Sequence, residues 1–141
     1  MYKAVLLPVD LDEEPSWRKA LSAAVEYCRA SDASLHVLTV VPDLAMGVTA
    51  YLPEDSGRKL IKRAKDTLAA FIEENIPETL GANSVVVQGT VYQRILEVAE
   101  EVGADLIVMA AHRPALKDYL LGPNAARVVR HATCSVLVVR E

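Results

Sequence analysis

Excess positive charge, long apolar runs and cysteine are scarce in this sequence, and each scarcity removes a class of protein. Fifteen Lys and Arg against nineteen Asp and Glu leave a net charge of −4 over 141 residues. That is the wrong sign for the basic stripe that binding a phosphate backbone requires, so no nucleic-acid partner is expected. Lys59, Lys62, Arg63 and Lys65 do cluster, but Arg58, Lys62 and Lys65 fall on one face of a helical pattern and read as a solvated helix face. No apolar stretch reaches the roughly 20 residues of a membrane span, and the N-terminus lacks the basic, apolar and small-residue regions of a signal peptide. No membrane association and a cytoplasmic location are expected. The two cysteines, Cys28 and Cys134, form neither a Cys-x-x-Cys pair nor a zinc spacing and read as reduced packing residues. The three histidines show no metal spacing. There is no Gly-x-x-x-x-Gly-Lys-Ser/Thr loop and no Gly-x-Gly-x-x-Gly after the first strand, so neither a P-loop NTPase nor a dinucleotide-dependent dehydrogenase is indicated.

What is present is an ordered globular composition, 52% hydrophobic and 24% charged with seven prolines, at a length that suits one domain over residues 1–141. Apolar runs alternate with segments of period 3.6 in the order βαβαβαβαβ. Ala4 to Val9 is apolar on successive residues, as strands covered on both faces are. Asp10 to Glu14 places acidic groups before Pro15, and Trp17, Leu21, Ala24, Val25 and Cys28 form a helical stripe. Leu35 to Val41 is the second strand. After the long connection 42–55, Ile61, Ala64, Leu68, Phe71 and Ile72 mark the second helix. Val85 to Val87 is a short third strand. Thr90 and Gln93 match a capping box, Ile95, Leu96, Ala99 and Val102 continue that helix, and Gly103 suits the left-handed residue that ends it. Asp105 opens the fourth strand. Such repeated units with right-handed crossovers give an α/β, Rossmann-like, doubly wound three-layer sandwich: a five-stranded parallel sheet in the order 3-2-1-4-5.

In this topology ligands bind outside the carboxyl ends of the strands that flank the reversal of strand order, here strands 1 and 4. Asp10 and the loop from Ala110 would face each other across that cleft. Gly122, Pro123, Asn124 and Ala125 would bring a helix N-terminus, whose unpaired N–H groups suit an anion, to the same end. Asp10 itself is open to two roles, a ribose-binding carboxylate or a cap on the following helix. His112 has no paired carboxylate or nucleophile at a readable spacing and reads as a loop histidine, so no catalytic residue is assigned. His131 suits a helix C-terminus.

Leu6-Leu-Pro-Val-Asp10, Gln88-Gly89, Leu120-Leu-Gly122, Ala126-Arg-Val-Val-Arg-His131 and Cys134-Ser-Val-Leu-Val-Val139 together resemble the universal stress protein family, across essentially the whole chain. The resemblance implies a five-stranded Rossmann-like fold, homodimerisation and, in one subgroup, binding of ATP, ADP or AMP, with or without Mg. On that subgroup's pattern Pro8, Val9 and Asp10 match the turn beside adenine and ribose, Val40 the strand end that meets adenine, and Met109 and Ala110 the end of strand 4. The subgroup's phosphate motif resembles Gly, two residues, Gly, nine residues, Gly, then Ser or Thr. This chain departs from it: Ala110 and Arg113 replace the first two glycines, eight residues separate Arg113 from Gly122, and Pro123 stands at the hydroxyl position. Arg113 before Pro114 cannot copy a glycine with positive φ, although its cation could meet a phosphate. Pro123 removes an N–H and a hydroxyl.

Two readings follow. One is a stress-response protein that binds an adenine nucleotide at the strand 1/strand 4 cleft and reports its state to an unknown signalling partner, with slow ATP hydrolysis a weaker extension. The other is a dimeric stress-response interaction protein that does not bind nucleotide, as the departures at Arg113 and Pro123 would have it. In either, the apolar last strand, residues 136–139, is expected to pair across a two-fold axis in a homodimer.

Overall fold

Five runs rich in apolar residues form one parallel sheet in the computed structural model, which describes residues 1–13, 17–43, 51–111 and 122–140. The strands are β1 (Ala4–Pro8), β2 (Ser34–Val41), β3 (Asn83–Gln88), β4 (Leu106–Ala110) and β5 (Ser135–Val139). The helices are α1 (Arg18–Ser31), α2 (Ser56–Asn75), α3 (Val91–Glu101) and α4 (Pro123–His131), with a 3-10 turn at Glu78–Leu80 that the apolar pattern does not announce. The sheet order β3-β2-β1-β4-β5 is the doubly wound order read from the alternation of elements.

Side-chain alternation splits the core into two layers. Val5, Leu7 and Val9 of the first segment and Leu106 and Val108 of β4 pack beneath α1 and α2. Leu6, Leu38, Ile107 and Met109 pack beneath α3 and α4. β1 and β4 are therefore covered on both faces, which is why they read as continuous apolar runs rather than alternating ones. Fully buried residues such as Leu6, Leu7 and Leu38 each contribute about 1.5–3 kcal/mol through removal from water. Cys28 lies in the first layer and Cys134 packs against the second, so the two free thiols stand on opposite faces of the sheet. Burial pushes both thiol pKa values up.

The expected helix C-cap forms. Gly103 has φ +66°, its N–H donates to the Glu100 carbonyl at 3.2 Å, and the Ala104 N–H donates to the Ala99 carbonyl at 2.8 Å, the bond pair of a Schellman ending. One N-terminal expectation fails, and one of the two roles open to Asp10 is not taken. Thr90 occupies the N-cap of α3 with extended backbone, but its side chain makes no capping bond, and the Gln93 amide turns to the Tyr92 hydroxyl at 3.4 Å. Thr90 and Gln93 are both exposed, so water competes for the donors that a capping box would satisfy. Likewise, Asp10 does not cap α1. That helix starts at Arg18 with no acidic residue in its first turn, while Asp10 nucleates its own turn. Pro15 lies outside the described residues.

One contact at the amino edge of the sheet has no sequence signature. The Asp105 carboxylate accepts the Lys3 N–H at 2.9 Å and the Ala4 N–H at 3.0 Å, while the Asp105 N–H donates to the Ala4 carbonyl at 3.0 Å. Desolvation raises the Asp105 pKa, but the hydrogen bonds from Ala4 and Lys3 outweigh it and hold the carboxyl below its ordinary range. Among the described residues no helix is long and apolar enough to cross a membrane.

Candidate functional site

The parity of β1 opens a crevice at the switch point. The Val9 N–H donates to the Leu38 carbonyl of β2 at 2.8 Å, and the Ala4 carbonyl accepts from Asp105. Odd residues of β1 therefore face β2 and even residues face β4. Position 8, the last even residue of the strand, is proline and has no N–H to give. The β1/β2 register runs from Ala4 through Pro8, whereas the β1/β4 register comprises Val5 with Leu106 and Leu6 with Ile107. Beyond Leu6 the two strands are unpaired although both continue. The gap at their carboxyl ends is the place where a doubly wound sheet receives a ligand.

The residues around this gap are held firmly from behind. Val9 is buried, and its carbonyl accepts the Thr39 hydroxyl at 3.1 Å. Thr39, in β2, is the buried polar side chain among the described residues. A lone hydroxyl in the apolar run Leu35 to Val41 is a legible signal, and sequence reasoning missed it. Asp10 is exposed. Its Oδ1 accepts the Asp12 N–H at 3.1 Å, and its carbonyl accepts the Glu13 N–H at 3.1 Å. This Asx turn occupies one lone pair of Oδ1 and leaves Oδ2 toward solvent.

Across the gap, Met109 is buried, and Ala110 pairs with Val139. The Ala111 N–H extends that ladder to the Val139 carbonyl at 3.0 Å. Val40 pairs with Val87, and just beyond it the Gly89 N–H donates to the Val41 carbonyl at 3.0 Å. Gly89 has φ +143°, and a Cβ there would lie 2.9 Å from Arg94 Cγ, so this turn requires glycine on both counts.

The helix N-terminus arrives as expected. Gly122 is the buried N-cap of α4 with φ −64° and ψ 160°, a backbone conformation open to any residue. Pro123 is the first helical residue, exposed and already without an N–H. The first intrahelical bond joins the Ala126 N–H to the Gly122 carbonyl at 3.0 Å. The N–H groups of Asn124 and Ala125 are thus the terminal donors, with no side chain on Gly122 to cap them. Ala125 and Val128 anchor the helix in the same layer as Met109, with Val40 at its edge. Arg127 lies over the Tyr92 ring, 4.9 Å from its centroid, and ties α4 to α3.

The fold therefore brings Pro8, Val9, Asp10, Val40, Met109, Ala110, Gly122, Pro123, Asn124 and Ala125 to one end of the sheet. His112 and Arg113 lie outside the described residues. The site supplies one carboxylate, backbone donors and apolar walls, a composition suited to holding a neutral ring system and an anion. Among the described residues no group of three or more His, Cys, Asp or Glu could hold a metal ion. A cavity of about 180 Å³, bordered by Ala99, Gly103, Ala132 and Cys134, lies at the opposite, amino end of β4 and β5 and has no part in this cleft.

Comparison with known proteins agrees with this architecture. The family model described as the universal stress protein family matches residues 1–140. Universal stress protein G of Shigella flexneri is 34% identical over 143 residues, which cover 99% of this chain and all of that protein. The solved structure of MJ0577, a universal stress protein of Methanocaldococcus jannaschii, superposes with a TM-score of 0.81 at 26% identity, covering 100% of this chain and 97% of that one. A universal stress protein solved in complex with cAMP superposes with a TM-score of 0.62 at 25% identity, over 99% of this chain and 97% of the other.

Proposed function

The chain belongs to the universal stress protein family, and from that membership we propose that it is a stress-response protein that binds an adenine nucleotide in the cleft between β1 and β4. The observation that carries this reading is the short β1/β4 ladder, which ends at Leu6 and Ile107 and leaves Pro8 to Asp10 facing the carboxyl end of β4. The universal stress protein solved in complex with cAMP supports an adenine ligand for this chain.

In the proposed complex adenine lies against the Val40 and Val9 backbone. The free oxygen of Asp10 accepts a ribose hydroxyl, and the Asn124 and Ala125 N–H groups meet phosphate at the positive end of α4. The nucleotide is ATP, ADP or AMP, with or without Mg. Binding and readout are the role proposed, with slow ATP hydrolysis the weaker extension.

One observation favours the second reading, a dimeric interaction protein without nucleotide: Pro123 stands where a further N–H would otherwise point at phosphate. Thermal shift with ATP, ADP and AMP separates the two. A ligand at a hundred times its Kd raises stability by about 2.7 kcal/mol, and no shift with any of the three at millimolar concentration selects the second reading. Asp10→Asn is the informative variant, because Asn keeps an acceptor for the Asp12 N–H while removing the charge; nucleotide affinity should fall about tenfold with the fold intact. Gly122→Val, which adds bulk at a buried position beside the same donors, should also weaken binding.

The homodimer belongs to both readings. Within the chain β5 pairs with β4 alone, and Leu137 on it is 44% exposed, so pairing β5 with its symmetry mate would complete the ladder and cover that side chain.

A further inference from the structure

Helix α2 carries its charges against its own dipole. Arg58, Lys59, Lys62, Arg63 and Lys65 place a third of the chain's fifteen cations within eight positions, in a molecule of net charge −4. They crowd the N-terminal half of the helix, whereas Glu73 and Glu74 stand in its last turn; the first turn has no acidic residue and the last has no basic one. The macrodipole favours the reverse arrangement. Arg58 with Lys62 and Lys59 with Arg63 are like-charge pairs at i, i+4, which disfavour a helix further. All five cations are exposed, and Lys59 pairs with Asp55 at 3.3 Å, while Arg58, Lys62, Arg63 and Lys65 form no ion pair with a described residue. A helix tuned for stability alone would not be charged this way.

Its position is equally particular. Leu68 and Phe71 are the buried residues of α2, and none from Ser56 to Lys65 is buried. At 1.5 Å per residue the helix start stands about 18 Å along its axis from Leu68. Because α2 runs antiparallel to the strands, that end points toward the carboxyl edge of the sheet, the edge that bears the nucleotide cleft. Steps of 100° place the five cations in one arc opposite Leu60, Ile61, Ala64 and Leu68, with the exposed carboxylates of Asp55 and Asp66 inside the same arc, so the face that turns away from the body carries five positive and two negative charges. Tyr51, 89% exposed, and Leu52 precede the helix start at Ser56 and offer exposed apolar side chains.

We propose that this face of α2 is the docking site for an acidic peptide segment of a partner protein, with Tyr51 and Leu52 receiving an apolar residue of that segment. The patch selects a compact partner: Arg58 to Lys65 spans about 10 Å, near one Debye length at 0.1 M salt. A duplex or an anionic bilayer would also lie across the acidic remainder of the surface, which repels it. The proposal stands whether or not the cleft binds nucleotide.

The test uses the full chain and fluorescence anisotropy with a labelled short poly-glutamate peptide bearing a central Leu, beside a DNA duplex and phosphatidylserine vesicles. The peptide should bind at low salt, weaken as salt rises, and bind at least about tenfold more weakly to the Arg58→Glu/Lys62→Glu variant. The far-UV circular dichroism of the variant should match that of the unmodified chain, which assigns the loss of binding to charge. Absence of peptide binding at low salt, equal binding by the variant, or tighter binding of the duplex or the vesicles than of the peptide would each overturn the proposal.

Discussion

Replacing Asp105 by Ala tests how the N-terminal strand is held. The carboxylate accepts two backbone donors, from Lys3 at 2.9 Å and from Ala4 at 3.0 Å. A hydrogen bond to a charged acceptor contributes about 1.5–3 kcal/mol, but the Lys3 end is exposed and water replaces much of its share. A loss of about 2–3 kcal/mol is expected at neutral pH, which at about 4 °C per kcal/mol for a chain of this size lowers Tm by roughly 8–12 °C. The sign with pH follows from linkage. The folded pKa of Asp105 is depressed below the ordinary aspartate value of 3.8, so its contribution is complete above that value and is lost as pH falls through the folded pKa. Urea unfolding of both proteins at pH 7 and near pH 3 should therefore show a large gap that narrows in acid, with unchanged m-values. A gap of equal size at both pH values would mean that the variant loses packing rather than a charged acceptor, and a negligible gap at pH 7 would remove the clamp from the account altogether.

The remaining expectations concern the cleft, the dimer and acid stability. Pro123→Ser restores an N–H and a hydroxyl at the start of α4, and calorimetry should show ATP affinity rising by about ten- to a hundredfold while AMP gains little; equal gains for both would place Pro123 away from the outer phosphates. Leu137→Glu sets like charges across the proposed β5 pair, so sedimentation should convert dimer to monomer, and a wild-type protein that is monomeric at micromolar concentration would end that proposal. Burial lowers the pKa of His36, so stability should begin to fall as pH drops below the ordinary histidine value of 6.5, and His36→Gln should remove that slope between pH 6.5 and 5.

Much of this protein is legible without a structure because its chemistry is periodic. Doubly covered strands must be apolar at every position, as Leu6, Leu7, Ile107 and Val108 are, and helices laid on them must repeat every 3.6 residues, as Leu21, Ala24, Val25 and Cys28 do. That alternation narrows the sheet to a few doubly wound orders, and the order β3-β2-β1-β4-β5 fixes which strand ends flank the cleft. Gly103 was readable for the same reason, since an Ala104 N–H returning to the Ala99 carbonyl needs a left-handed residue between them.

What tertiary structure decided are the interactions whose partners lie far apart in the chain or compete with water. The Thr90/Gln93 spacing matches a capping box, but spacing does not say whether the side chains are shielded, and exposed donors were left to solvent. Asp10 is followed by acidic residues and a proline, yet it turned its carboxylate to Asp12 because α1 begins eight residues later. Asp105 reaches Lys3 and Ala4 across more than a hundred residues, and Thr39 reaches the Val9 carbonyl across thirty. The sequence by itself determined periodicity, and with it the elements and the two layers that cover the sheet. Only the folded chain determined where each polar group spends its hydrogen bonds, because that depends on which distant backbone it meets and on how much water remains between them.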